Sequence, residues 1–118
     1  MAETAAASHA LTTEIKHYPG DVVLVICHGR LVAGTEDALY ATVRELIPSN
    51  KRIILDLADL QHTDSRGLGT LVRLYVASKS AGSSLELMHL SKQIRHLLGL
   101  TDLFRVFTVI GENGVKFM

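Results

Sequence analysis

The chain has 118 residues, 47% of them hydrophobic and 20% charged, a composition that fits one globular domain and excludes a disordered chain. Its 12 basic and 12 acidic residues cancel, which argues against direct nucleic-acid binding, because such proteins carry a basic surplus. The single Cys27 cannot form an internal disulfide, and no run approaches the roughly 20 apolar residues of a membrane span. We therefore expect a soluble, cytoplasmic domain.

The first predicted elements are a tail and a hairpin. Residues 1–10 are expected to be a disordered N-terminal tail. Residues 11–18 are mixed in polarity and predict an edge strand, whereas residues 22–27 form a continuous β-branched run that is typical of a buried strand. Residues 19–21 between them, Pro-Gly-Asp, are turn formers. In this hairpin Cys27 is a small buried hydrophobic residue.

A first helix follows the hairpin. Residues 29–34 interrupt the strand pattern, and Thr35 is a candidate N-cap because acidic residues come directly after it. Apolar residues then recur at helical spacing until Pro48 ends the helix.

A second strand and helix come next. Residues 52–57 predict a buried strand, and the polar residues 59–64 predict a loop. The helix after Ser65 is predicted to bury one apolar face. That face consists of Leu68, Leu71, Val72, Tyr75 and Val76.

The last third of the chain predicts a strand over residues 85–90, a helix capped by Ser91 and a short strand over residues 106–110. Repeated strand–helix–strand units imply right-handed crossovers and a mostly parallel sheet. We therefore predict an α/β fold, with four to five strands in a mostly parallel sheet, an N-terminal antiparallel strand and helices packed on it.

Three neighbouring side chains, His62, Asp64 and Ser65, raise the question of a hydrolase. The nucleophile elbow of hydrolases has the motif Gly-x-Ser-x-Gly, with a glycine two residues before the serine. In this chain that position, residue 63, is threonine. Catalytic triads are also assembled across a fold and not from sequence neighbours. The sequence therefore predicts that the chain is not an enzyme.

Metal and nucleotide sites find little support either. None of the six histidines forms a His-x-His or His-x-x-x-His pair, the spacing that usually marks a metal site. Gly67 and Gly69 stand near a helix start, but a dinucleotide fingerprint needs a third glycine where the chain has Val72. We expect no metal and no cofactor.

Ser65 has two compatible interpretations. The local pattern favours a helix N-cap, with Asp64 as a loop acid or the alternative cap. As a phosphoacceptor, Ser65 would carry a phosphate stabilised by the helix dipole and the adjacent amides. That phosphate would place about two negative charges beside Asp64 and repel a docked partner.

Several segments together resemble the STAS domain, the fold of bacterial anti-sigma factor antagonists and of sulfate-transporter C-terminal domains. They are Ile53 to Leu60, Thr63 to Gly69, Leu71 to Tyr75, Gly29-Arg30-Leu31, Ala81 to Leu87, Leu97 to Phe104, and Val106-Phe107. The resemblance covers the chain from about Leu11 to Val109, and it implies a single STAS domain over residues 11–118.

The resemblance implies a function and a switch. Phosphorylatable members carry the acceptor serine directly after the aspartate, a position that falls on Ser65. An anti-sigma factor serine kinase phosphorylates it, a PP2C-type phosphatase reverses this, and the unphosphorylated form binds the kinase and frees a sigma factor. The implied partner-binding surface consists of Asp64, Ser65, Arg66, Gly67, Leu68 and Gly69.

Three departures from the family pattern concern the partner. Sporulation-type antagonists have an aspartate where this chain has Val32, and the closing acidic helix is reduced to residues 111–118. Arg66 stands where many relatives have serine and adds a positive charge, which we expect to pair with a kinase acid or with the phosphate. The alternative function is a non-phosphorylated STAS scaffold or ligand-sensing module in a signalling or transport complex.

Overall fold

A computed structural model describes residues 10–111 of the chain. The predicted tail therefore lies outside the described residues except for Ala10, and so does the C-terminal segment from residue 112 onwards. Among the described residues, no helix has both the length and the apolar character that crossing a membrane requires.

The described chain forms five strands and three α-helices in the order ββαβαβαβ. The strands are β1 (Leu11–Tyr18), β2 (Val22–Leu31), β3 (Arg52–Thr63), β4 (Ser84–Met88) and β5 (Thr108–Ile110). The helices are α1 (Glu36–Leu46), α2 (Ser65–Ser80) and α3 (Lys92–Leu100), with 3₁₀ turns at Ile47–Ser49 and Leu103–Arg105.

The strands lie side by side in sequence order in one sheet. β1 pairs antiparallel with β2, and the other three pairings are parallel. This arrangement confirms the predicted fold, and β1 is an edge strand as expected. Because β2, β3 and β4 are parallel, their carboxyl ends meet at one edge of the sheet, where the loops leading to the helices begin.

The main hydrophobic core lies between the helices and one face of the sheet. Alternate residues of β2, including Val23, Val25 and Cys27, are fully buried in it. The fully buried Leu39 of α1, Leu71 of α2 and Leu98 of α3 belong to the same cluster. A smaller cluster, Leu24, Ile54, Met88 and Ile110, lies on the opposite face.

The predicted ends of β2 and β3 are wrong. β2 continues to Leu31, into the segment over residues 29–34 that was predicted to interrupt it, and β3 continues to Thr63, through most of the segment predicted as a polar loop. The cause is pairing between the two strands: His28 lies opposite Asp59, and Leu31 lies opposite Thr63, across two irregularities of register. A polar strand segment of this kind has the composition of a loop. Its extended conformation comes from pairing with the neighbouring strand, which the local sequence does not show.

The last strand begins later than predicted. β5 starts at Thr108, and Val106 and Phe107 belong instead to the turn before it. Phe107 is buried and meets the ring of Tyr75 edge-on, with centroids 5.7 Å apart. Packing against α2 therefore fixes this turn.

The buried face of α2 also differs from the prediction. Leu68, Leu71, Leu74 and Ser78 are buried, whereas Val76, which was predicted to be buried, is 55% exposed. Leu74 fits helical spacing from Leu71 and Val76 fits it from Leu68, so spacing alone did not identify which one faces the sheet.

Candidate functional site at the start of helix α2

The site lies where β3 ends and α2 begins. The Asp64 N–H donates a 3.3 Å hydrogen bond to the Leu31 carbonyl at the end of β2, so the turn into α2 continues the pairing of the two strands. The Leu68 N–H then donates to the Asp64 carbonyl at 2.9 Å, closing the first turn of the helix.

The N-cap of α2 is Asp64, which corrects the expectation that Ser65 is the cap. Asp64 has extended backbone angles, and its Oδ1 accepts a 2.9 Å hydrogen bond from the Gly67 N–H. Ser65 is instead the first residue of the helix, and its side chain is exposed. The two candidates are adjacent and belong to equally good capping types, so composition did not separate them.

The second carboxylate oxygen of Asp64 reaches outside the helix. Its Oδ2 accepts a 2.9 Å hydrogen bond from the Ala33 N–H, in the loop after β2. Hydrogen bonds from the Ala33 and Gly67 amides lower the pKa of Asp64, with smaller contributions from the Arg66 amide and the charge of His62 against an opposing desolvation. Asp64 therefore stays ionised and ties the loop to the helix.

Gly67 brings the first turn of α2 against the end of β2. A Cβ added at Gly67 would lie 2.1 Å from the Leu31 carbonyl oxygen, far inside any contact distance. Gly69, one half-turn further on, faces open space. The two glycines therefore have different roles: Gly67 allows a close approach of helix to strand, and Gly69 imposes no such requirement.

The six residues implied as a partner-binding surface do not all reach the surface. Ser65, Arg66 and Gly69 are exposed and Asp64 is half-buried, while Gly67 and Leu68 are buried beneath them. Any contact with a partner would therefore involve the exposed members, which the buried pair supports from below.

Arg66 lies beside the first turn of α1. Its guanidinium is 73% exposed, and Nη1 lies 4.0 Å from Oε2 of Glu36. The other oxygen of Glu36 accepts a 2.9 Å hydrogen bond from the Gly34 N–H. In the sequence, Glu36 is one of the acidic residues that follow Thr35, and nothing in its spacing indicates that its carboxylate lies beside Arg66.

Thr35 stands at the N-cap position of α1, as predicted, but its hydroxyl does not cap the helix. It donates to the Arg30 carbonyl at 2.7 Å and accepts from the Val32 N–H at 3.0 Å. These two hydrogen bonds hold residues 30–35 in a compact loop. Val32, at the position where sporulation-type relatives have an aspartate, is half-buried in this loop.

His62 and Asp64 are engaged with groups other than Ser65. The Gln93 side chain accepts a 3.0 Å hydrogen bond from the Thr63 N–H, so its amide nitrogen donates to Nδ1 of His62 at 2.8 Å. Since both Asp64 oxygens accept from backbone amides, the structure does not assemble the three residues into a Ser-His-Asp array. Gln93, on α3, was not singled out from the sequence.

Within residues 10–111, no group of three or more His, Cys, Asp or Glu side chains is arranged to hold a metal ion. Cys27 is buried, and desolvation raises the pKa of its thiol to about 12. The thiol therefore stays protonated and packs as a hydrophobic group, as predicted.

Comparison with known proteins gives a consistent result. Residues 12–113 match the STAS domain family model. The anti-sigma F factor antagonist of Paenibacillus polymyxa is 28% identical over 101 residues, covering 84% of this chain and 86% of that protein.

Solved structures share the fold at lower identity. An anti-sigma factor antagonist from Mycobacterium paratuberculosis superposes with a TM-score of 0.75 at 20% identity, covering 87% of each chain. SpoIIAA in its unphosphorylated form has a TM-score of 0.71 at 16% identity, covering 86% of this chain and 90% of that chain. The Bacillus SpoIIAA in the phosphorylated form has a TM-score of 0.68 at 16% identity, covering 86% and 93%.

Proposed function

The chain belongs to the STAS domain family, and from this premise we propose that it is an anti-sigma factor antagonist whose binding is switched off by phosphorylation of Ser65. In the unphosphorylated state it binds a serine-kinase anti-sigma factor and releases the sigma factor that this kinase holds. A PP2C-type phosphatase restores the binding state, and the cycle takes place in the cytoplasm.

The observation that carries the proposal is the position of Ser65. Ser65 is an exposed residue and the first one of a 16-residue helix. The start of that helix is held by the Asp64 carboxylate and by the close approach of Gly67 to Leu31. A group added to Ser65 would therefore meet solvent or a partner without disturbing the core.

Charge supplies the switching energy. A phosphate at Ser65 adds about two negative charges beside the ionised Asp64, while the positive end of the helix dipole favours an anion there. The domain therefore stays folded when Ser65 is phosphorylated, whereas the added negative charge repels an acidic surface of a partner. Arg66, which is 73% exposed, is close enough in sequence to pair with the phosphate or with a partner carboxylate.

Two similarities support this assignment. The relative from Paenibacillus polymyxa is named an anti-sigma F factor antagonist, and SpoIIAA has been solved in both unphosphorylated and phosphorylated forms. Phosphorylation of that structural relative suggests the same kind of switch here.

The first experiment tests the modification. The purified chain is incubated with ATP and each serine-kinase anti-sigma factor encoded by the source genome, and the product is analysed by mass spectrometry. We expect one phosphoryl group on the peptide containing Ser65 and none on the Ser65→Ala variant. A wild-type chain that every kinase leaves unmodified would favour the alternative of a non-phosphorylated scaffold.

The second experiment tests the switch itself. Ser65→Asp is expected to fold normally and bind the kinase at least tenfold more weakly, a loss of about 1.4 kcal/mol, whereas Ser65→Ala binds constitutively. Calorimetric titration of each variant with the kinase gives both affinities. The switch is refuted if Ser65→Asp binds the kinase as tightly as wild type.

A further inference from the structure

Helix α2 carries a second apolar stripe, which runs from the half-buried Val72 at the edge of the core to the exposed Val76. Its buried stripe faces the sheet, while Val72 and Val76, four residues apart, lie on another side of the helix. Val76 is 55% exposed, although valine contributes little to helix propensity at an exposed position. A helix with one apolar stripe buried and a second one partly exposed has a surface suited to a further contact.

This second stripe forms one wall of an open groove between α1 and α2. The groove has a volume of about 670 Å³, and Ile47 and Pro48 line it from the end of α1. Its floor is therefore aliphatic, and it runs between two helices that the core holds in place.

The rim of the groove is positively charged. Arg73 lies over the ring of Tyr40, with 4.3 Å between its guanidinium carbon and the ring centroid, and Arg44 flanks the same ring at 5.9 Å. Arg44 also donates a 2.7 Å hydrogen bond to the Tyr40 hydroxyl. Tyr40 thus holds two cations at the side of an aliphatic groove.

Little negative charge offsets these arginines. No acidic residue lines the groove in the described part of the chain. The carboxylate nearest to Arg73 is that of Asp37, 3.9 Å away, and this side chain is 92% exposed, so the pair is weak. A complementary partner must therefore bring its own carboxylates.

The groove is continuous with the candidate site. Arg73 also lines the adjoining depression formed with Arg66, Gly69 and Glu36. From Ser65 to Val76 is eleven residues of helix, or about 16 Å along the axis. One partner of ordinary interface size would span that distance.

We propose that this groove docks an amphipathic helical segment of the anti-sigma partner, one that carries apolar side chains flanked by aspartate or glutamate. Its apolar side chains fill the space between Ile47 and Val76, and its carboxylates pair with Arg44 and Arg73. This inference deepens the proposed function and rests on it. In this proposal the groove contributes affinity for the partner, whereas phosphorylation of Ser65 decides whether the partner binds.

The groove is tested first without the natural partner. The isotope-labelled full chain is titrated with a synthetic helical peptide that carries leucines four residues apart flanked by glutamates, and with a matched peptide in which every glutamate is lysine. We expect saturable amide shifts at the groove and at least tenfold weaker binding of the lysine peptide. Equal binding of the two peptides, or no saturable shift at the groove, overturns the proposal.

Two matched variants then separate the groove from other apolar surface. Val76→Glu places a carboxylate on the stripe, and Leu100→Glu makes the same kind of change at a 71% exposed position at the end of α3. Val76→Glu is expected to weaken binding of the acidic peptide, and of the kinase found above, at least tenfold. Leu100→Glu is expected to stay within twofold of wild type.

The outcomes distinguish the two proposals. Unchanged kinase binding by Val76→Glu, together with loss of binding by Ser65→Asp, overturns the groove and leaves the proposed function standing. If no kinase binds the wild-type chain, the proposed function fails, and the peptide titration still decides whether the groove accepts an acidic helix. Thermal melting of both variants confirms that each is folded.

Discussion

Two ionisable side chains near the carboxyl ends of β2 and β3 are held by opposite kinds of partner. Asp64, at the start of α2, accepts hydrogen bonds from the backbone amides of Ala33 and Gly67. His28, on β2, lies between two carboxylates: its Nδ1 is 2.5 Å from Asp59 of β3, and its Nε2 is 2.5 Å from Glu14 of β1.

The difference concerns rigidity. The two amides that bind Asp64 belong to the backbone, one in α2 and one in the loop after β2, so they have no side-chain freedom of their own. The carboxylates near His28 are about 60% exposed and sit on flexible side chains, so their contacts depend on the charge of the imidazole. The first region suits the support of a switch, and the second is a pH-dependent link between strands.

The largest effect is expected when the support of α2 is broken. Gly67→Ala would place a Cβ 2.1 Å from the Leu31 carbonyl oxygen, so helix and strand must separate. We expect the free energy of unfolding, measured by urea denaturation, to fall by about 3 kcal/mol.

Gly69→Ala provides the matched control for that change. Gly69 faces open space within the same helix, so alanine should raise the free energy of unfolding by about 0.5–1 kcal/mol through its better helix propensity. Equal effects of the two alanines would show that Gly67 is not required by the close approach to β2.

The next effect is loss of the cap. Asp64→Ala removes the acceptor for the Gly67 and Ala33 amides and should lower the free energy of unfolding by about 1–2 kcal/mol. Ser65→Ala, one residue later, should change it by less than about 0.5 kcal/mol because the exposed hydroxyl does not cap the helix. A larger loss for Ser65→Ala than for Asp64→Ala in the same urea titration would contradict the assignment of the cap.

The Asp64 contribution also has a defined pH dependence. Its pKa is lowered in the fold by the Ala33 and Gly67 amides, so the ionised form stabilises the native state above the unfolded pKa near 3.8. That stability is lost as pH falls from this value through the lower folded pKa. Asp64→Asn, which keeps an oxygen for the cap but cannot ionise, should flatten this part of the profile.

Sequence reasoning recovered the order of elements because strand and helix periods are local properties of the chain. It missed features that depend on partners distant in sequence. His28 meets residues 14 and 31 positions away, and no spacing rule brings three strands together. The cap was assigned to Ser65 instead of Asp64 because the two residues are adjacent and equally good capping types. The contact that distinguishes Asp64, from the Ala33 amide to its Oδ2, joins residues 31 positions apart.

At His28 the pH dependence has the opposite sign. Hydrogen bonds that the imidazole donates to Asp59 and then to Glu14 raise the pKa of His28, and a neutral imidazole has only one N–H to serve two carboxylates. The stabilisation is therefore complete below the unfolded pKa of about 6.5 and is lost as pH rises through the higher folded pKa. Proton NMR titration should show the pKa of His28 falling in Glu14→Gln, and an unchanged pKa would contradict the bridging role.

The smallest effect is expected from the substitution that matters most for the proposed function. Ser65→Asp adds a charge at the first position of α2, where the helix dipole favours it by roughly 0.3–1 kcal/mol and the ionised Asp64 opposes it. We expect the free energy of unfolding to stay within about 0.5 kcal/mol of wild type. Ser65→Lys, the control of opposite charge, should be less stable than Ser65→Asp at low salt, and the gap should shrink as salt screens the dipole. A kinase-binding loss of tenfold or more in Ser65→Asp, set against so small a change in stability, would locate the switch in the partner contact and not in the fold.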